Sequence, residues 1–221
     1  MSYSIQMEEL SAFVNKRCLF MIDGIYESEC DALIIEGENG VGKSAFLKAL
    51  AGYNYYSLQG KFLILNENKK KIGRFLMMPQ DTVVADDVLV AEYLARKCMY
   101  FFDFKHWVSF TTIHSLNWWS ELIIYNEDLM HLLNNDLGKK LSELNYAKKR
   151  FLDLITIPIV NDTVVLLDEP FENLGDELFG LAKNYIANDL KDSMLILVDH
   201  TKKYKMIDRN YVSIDLNYYK V

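Results

Sequence analysis

The stretch Leu33-Ile34-Ile35-Glu36-Gly37-Glu38-Asn39-Gly40-Val41-Gly42-Lys43-Ser44-Ala45 decides the fold. A short apolar run enters a complete G-x-x-x-x-G-K-S turn, and from Lys43 to Ala51 apolar residues recur at three- and four-residue spacing. Strand, glycine turn and helix come in that order. The glycines let the backbone curl so that its N–H groups and the positive helix end surround phosphate oxygens. Glu38, Asn39, Gly40, Val41, Gly42, Lys43, Ser44 and Ala45 are therefore the expected phosphate cradle. Lys43 adds a charge at the β/γ positions, and Ser44 adds a hydroxyl for Mg²⁺.

Working outward, further apolar runs sit between helical patterns: Phe62 to Leu65, Phe75 to Met78, Val164 to Leu167 and Leu195 to Val198. Runs of this kind read as buried parallel strands. Ser142 to Ile155 and Asp176 to Leu190 read as crossover helices, so the expected class is α/β. The stretch Lys61 to Met78 also reads as an antiparallel hairpin around a polar Asn66 to Lys71 turn. From about Asp86 to Lys140 the strand pattern stops. VAEYLARKCMYFF and EDLMHLLNN look helical there, and this insert holds Trp107, Trp118 and Trp119. Those aromatic residues either pack the insert onto the sheet or line a groove for a partner protein.

The second chemical signal is Val164-Val165-Leu166-Leu167-Asp168-Glu169-Pro170, an apolar strand with two carboxylates at its end. The strand is expected beside the phosphate-loop strand. Asp168 would then hold Mg²⁺ together with Ser44, and Glu169 would serve as general base or orient the attacking water.

Composition narrows the possibilities. The chain has 221 residues, 51% of them hydrophobic, which suits one compact domain. With 24 basic and 31 acidic residues the net charge is −7, so no positive field exists to attract nucleic acid. Cys18, Cys30 and Cys98 are too scattered for a disulfide framework and read as reduced thiols. The first ten residues are not a signal peptide, and the longest apolar runs fall far short of a membrane helix. A soluble, cytoplasmic chain is expected.

With these motifs in this order the chain resembles the nucleotide-binding subunits of ABC transporters, over nearly its whole length. The resemblance implies a RecA-like P-loop NTPase core with an antiparallel β portion and a helical insert. It divides a single domain of residues 1–221 into a core of 1–85 and 150–221 and a helical subdomain of about 86–149. It also implies further roles. Gln80, after the strand Arg74 to Pro79, corresponds to the Q-loop glutamine that contacts Mg²⁺ and the attacking water. His200, closing Met194 to His200, corresponds to the switch histidine near the γ-phosphate. Phe13, 24 residues before Gly37, stands where an aromatic ring stacks on adenine, with Phe20 and Tyr26 as rivals. His106, His114 and His131 match no motif.

The signature departs from the family. Leu141-Ser142-Glu143-Leu144-Asn145 occupies the place of L-S-G-G-Q: Ser142 is kept, both glycines are gone, and Glu143 brings a negative charge. Lys148, Lys149 and Arg150 are the cations available to offset it. Beyond Leu174, Gly175 replaces the D-loop aspartate and Asp176 follows one place later. The resemblance implies ATP and Mg²⁺ as ligands and a homodimer or heterodimer of ATPase subunits. It also implies a separate transmembrane permease as partner, placing the chain at the inner face of the membrane. ATPases with loose signatures resemble those of peptide or bacteriocin export and immunity. The alternative is a degenerate subunit that clamps a partner on ATP binding and hydrolyses little. A GTPase lacks support because no N-K-x-D follows the P-loop, a small-molecule kinase because arginine is sparse, and a chromosome-maintenance ATPase because no long heptad tract fits.

Overall fold

A computed structural model describes residues 3–78, 80, 87–94, 135–157 and 162–221. The chain forms two compact units. The first comprises 1–81, 159–172 and 183–221, and the second 82–158 and 173–182.

The first unit carries two sheets. Strands β1 (Tyr3–Val14), β2 (Arg17–Cys30) and β4 (Tyr56–Leu65) make an antiparallel sheet in the order β2-β1-β4. Strands β3 (Ala32–Glu36), β5 (Arg74–Met78), β6 (Thr163–Asp168), β7 (Met194–Val198) and β8 (Tyr211–Asp215) make a second sheet, ordered β5-β6-β7-β3-β8 and parallel throughout. Every residue of β6 and β7 is buried, which explains their unbroken apolar sequence. Helix α1 (Lys43–Leu50) packs on both sheets. Its Phe46 stands edge-on to Phe20 of β2, 5.7 Å between ring centres, and to Phe62 of β4, 5.8 Å. That geometry suits ring quadrupoles and fixes the helix over the core.

Three expectations need correcting. Phe62 to Leu65 belongs to β4 of the antiparallel sheet, not to the parallel one, because it pairs with β1. Lys61 to Met78 is not a hairpin of paired strands. Asn66 Oδ1 accepts the N–H groups of Asn68 and Lys70 and turns the chain, and Ile72 still bonds Ile64. The chain then leaves, β4 pairing with β1 and β5 with β6. The run Phe75 to Met78 is apolar on consecutive positions, and pairing with β6 in the parallel sheet covers it better than a hairpin would. Nor does β6 lie beside β3, because β7 stands between them.

In the second unit residues 90–94 are helical, 3₁₀ turn Leu141–Glu143 precedes helix α2 (Tyr146–Ile155), and helix α3 (Asp176–Asn184) starts there. The Tyr93 phenol donates to Asp153, both of them buried. The buried Asp136 receives Lys139 and Lys148. Burial raises its pKa, but the hydrogen bonds from the two lysines prevail and hold the carboxyl below its ordinary value. Most of the predicted aromatic insert, including Trp107, Trp118, Trp119, His106, His114 and His131, lies outside the described residues, as do Cys98 and Pro79.

Candidate functional site

All strands of the parallel sheet point the same way, so their C-terminal ends share one edge, where α/β sheets bind ligands. Gly37 leaves β3 there, Gln80 follows β5, Asp168 ends β6, and His200 follows β7. The backbone of the loop requires its glycines. Gly37 has φ 137°, and a Cβ there would sit 2.8 Å from Val41 Cγ1; Gly42 has φ 114°. Gly42 is also the N-cap of α1 and has no side chain to satisfy the first-turn amides, which leaves them for an anion. The Lys43 ammonium is buried and donates to the carbonyls of Gly37 (2.8 Å) and Glu38 (2.9 Å). Burial lowers its pKa, opposed by the negative charges of Glu169, Asp168 and Asp215.

Although a strand intervenes, the Ser44 hydroxyl donates to Asp168 Oδ1 at 3.0 Å. Helix α1 starts over the sheet edge and carries Ser44 across β7 to β6. A serine oxygen and a carboxylate oxygen in contact are hard donors of the kind Mg²⁺ takes, with nucleotide phosphates completing its shell.

Glu169 and His200 form the next pair. Glu169 is 4% exposed, and its Oε2 accepts the His200 N–H at 2.9 Å while Oε1 lies 3.2 Å from His200 Nε2. Burial raises the Glu169 pKa, and the neighbouring Asp199 and Asp168 charges add to the rise. Its backbone sits in the left-handed region at φ 53°, an unusual conformation for a residue with a side chain and one that clusters at functional sites.

Among the other predicted residues, Gln80 is exposed, two positions beyond β5, whose Met78 pairs with Leu167. Phe13 is half-buried on β1, paired with Cys18 and Ser57. Of its rivals, Phe20 is committed to the core against Phe46, and Tyr26 is half-buried beside that core. Ser142 and Glu143 are exposed in the 3₁₀ turn of the second unit. The Glu143 carboxylate turns back to accept the Lys140 N–H at 2.6 Å. Of the cations available on α2, Lys148 is bound to Asp136 and Arg150 is fully buried.

Several residues at this sheet edge escape a reading of motifs. Asn217 Oδ1 accepts the Glu38 N–H at 3.0 Å, and its own N–H is held by Asp215 Oδ1 at 2.9 Å. The Tyr204 phenol donates to Glu36 Oε1 at 2.7 Å, immediately before the glycine turn. Only Glu36 is adjacent in sequence to a motif.

Residues 25–172 match the family model described as ABC transporter. The chain belongs to the ABC transporter family. It is similar to the xylose import ATP-binding protein XylG of Moorella thermoacetica, 23% identical over 97% of this chain and 40% of the relative. It also resembles the D-allose import ATP-binding protein AlsA of Escherichia coli, 25% identical over 69% of this chain and 30% of the relative. The chain thus spans less than half the length of these two relatives. The cytochrome c biogenesis ATP-binding export protein CcmA of Wolbachia pipientis matches end to end, 23% identical over 96% of both chains. Among solved structures, a putative ABC transporter ATP-binding protein from Pyrococcus furiosus superposes with a TM-score of 0.65 at 20% identity, covering 99% of this chain and 100% of the other. That likeness agrees with the ABC ATPase fold.

Proposed function

We propose that this chain binds and hydrolyses ATP and so drives a transporter whose membrane-spanning permease is a separate polypeptide. Among the described residues no helix is long and apolar enough to cross a membrane. The observation that carries the reading is the convergence at one sheet edge of the Lys43 loop, the Ser44–Asp168 contact and the Glu169–His200 pair. The loop amides and Lys43 bind the phosphates. Ser44 and Asp168, with Gln80, hold Mg²⁺, whose charge when bound draws electron density from the phosphates. Glu169 takes the proton of the water that attacks the γ-phosphorus, with the bond to the ADP oxygen breaking. Its buried, raised pKa makes the ionised carboxylate a better base for that proton. His200 keeps Glu169 aimed, and Phe13 stacks on adenine.

In this proposal two ATPase subunits close on ATP, Ser142 reaches the opposite nucleotide, and closure rearranges the permease at the inner membrane face. Peptide or bacteriocin export or immunity is the proposed transport role, on the likeness of the loose signature alone. Steady-state hydrolysis of Mg-ATP by the purified chain, compared with the Glu169→Gln variant, tests the assignment. An unchanged rate overturns it.

One observation favours a second reading, a subunit that clamps on ATP and hydrolyses little. The signature segment satisfies its own amides. The Glu143 N–H donates to the Lys140 carbonyl at 3.0 Å and the Leu144 N–H to the Leu141 carbonyl at 3.1 Å, while the Glu143 and Asn145 side chains accept the flanking Lys140 and Lys148 N–H groups.

A further inference from the structure

The chain after β7 turns on Asp199. This carboxylate, 7% exposed, accepts the Thr201 N–H at 2.9 Å, the Thr201 hydroxyl at 2.5 Å and the Tyr204 N–H at 3.0 Å. Residues 199–204 are thereby closed into a hydrogen-bonded loop with His200 as a member, and Lys202 turns the chain at φ 57°. The loop ends on Tyr204, which is buried edge-on to Tyr211 of β8, with ring centres 5.3 Å apart.

Strands β3 and β7 are neighbours, but their ladder stops at Ile34↔Leu197. Beyond it the two chains diverge, one into the phosphate loop and the other into the His200 loop. The Tyr204 phenol spans that gap to Glu36, the last residue of β3. A hydrogen bond to a carboxylate is among the stronger kinds, and burial of the donor shields it from water. Two fixed points therefore frame His200: its own N–H on Glu169, and Tyr204 on the strand that carries the phosphate loop.

We propose that Tyr204, through its bond to Glu36, is a positioning residue that holds the His200 loop in register with the phosphate loop. The inference rests on the role given to His200 above, and the test separates the two. Tyr204→Phe keeps the ring against Tyr211 and removes the hydroxyl, whereas Glu36→Gln keeps an acceptor oxygen and serves as the conservative control.

Two measurements are made on the full chain. The first is the ring resonance of His200 by proton–carbon correlation, assigned through its loss in His200→Ala. It needs no turnover. His200 is exposed, but its Nε2 lies 3.2 Å from Glu169 Oε1. In Tyr204→Phe its resonance should move toward the position of a histidine with no carboxylate beside it, and in Glu36→Gln it should stay near its original place. The second is Mg-ATP kinetics. In Tyr204→Phe kcat should fall about tenfold, as for one lost bond to a charged acceptor, with KM within about twofold. The same change added to His200→Ala should do nothing more. A His200 resonance unmoved by Tyr204→Phe, a change in KM alone, or losses that add to those of His200→Ala would each overturn the inference. A His200→Ala enzyme as active as the parent overturns the catalytic reading instead, and the resonance still decides whether the strut exists.

Discussion

Glu169→Gln should abolish turnover and at the same time stabilise the protein. The ionised carboxylate is nearly excluded from water and stands near Asp168 and Asp199, so its folded pKa is raised, chiefly by burial. A glutamine keeps the hydrogen bond: its oxygen accepts the His200 N–H as Glu169 Oε2 does. What it loses is the buried charge. Replacing such a charge while its hydrogen bond is kept is worth about 1 kcal/mol, which for a chain of this size raises Tm by about 2–4 °C. The pH dependence has a definite sign. Because the folded pKa lies above the unfolded one, Glu169's favourable contribution is complete below the ordinary carboxylate pKa of about 4.3 and is lost as pH rises through the raised value. The Tm advantage of Glu169→Gln should therefore grow as pH rises through the raised pKa and shrink as pH falls toward about 4. Removing a general base lowers the hydrolytic rate by about 10²–10⁴-fold. Differential scanning calorimetry without nucleotide and a coupled phosphate-release assay measure the two effects. A fall in Tm at pH 7 would show that the buried charge costs nothing, and a rate within a factor of two of the parent would remove Glu169 from catalysis.

Three other substitutions test separate links. Gly37→Ala puts a methyl 2.8 Å from Val41 Cγ1 at a φ of 137°, so it should cost about 1–3 kcal/mol in denaturant unfolding and weaken ATP binding measured by calorimetry. Asn145→Ala removes the α2 cap and should cost about 1 kcal/mol by the same unfolding measurement, with Asn145→Ser recovering most of it. Glu143→Gly frees the Lys140 amide and removes a charge from the signature; the ATPase rate should rise severalfold if that segment faces a phosphate, and an unchanged rate leaves it without that role.

The fold was legible where one local rule dominated. Continuous apolar runs identified β3, β6 and β7, because strands covered on both faces need no polar alternation, and also β5, which is only partly buried at the sheet edge. The glycine turn located α1 because few other residues tolerate its dihedral angles. Strand order was not legible. Nothing in Val164 to Asp168 says that β7, some thirty residues later, will insert beside it, since both strands are uniformly apolar and fit either neighbour. The false hairpin has the same origin: the Asn66 turn is real, but the strand after it takes its place from β6, a partner far along the chain. Among site residues, Lys43, Ser44, Asp168, Glu169 and His200 announced themselves by motif. Asn217 and Tyr204 did not, because their partners Glu38 and Glu36 lie 179 and 168 positions away and any hydrogen-bonding side chain serves equally well in sequence.

Two helix starts in this chain show how local rules divide between stability and function. Helix α1 violates them: its N-cap is a left-handed glycine without a capping group, a buried lysine opens its first turn, and a strained carboxylate occupies the neighbouring strand end. Each feature costs stability, and each makes sense if an anion with its metal supplies the missing partners. Helix α2 obeys the rules, with Asn145 capping its first turn and Glu143 satisfying the Lys140 amide just upstream. An amide already bonded within its own segment can reach a phosphate only by giving up that bond, at a cost of about 1 kcal/mol. On the proposed function, the chain would offer a phosphate uncapped amides on its own loop and already bonded ones at its signature. In the proposed dimer, two copies of this chain would make two like sites, each joining this loop to this signature, and only pairing with a different ATPase subunit would turn this difference into an asymmetry.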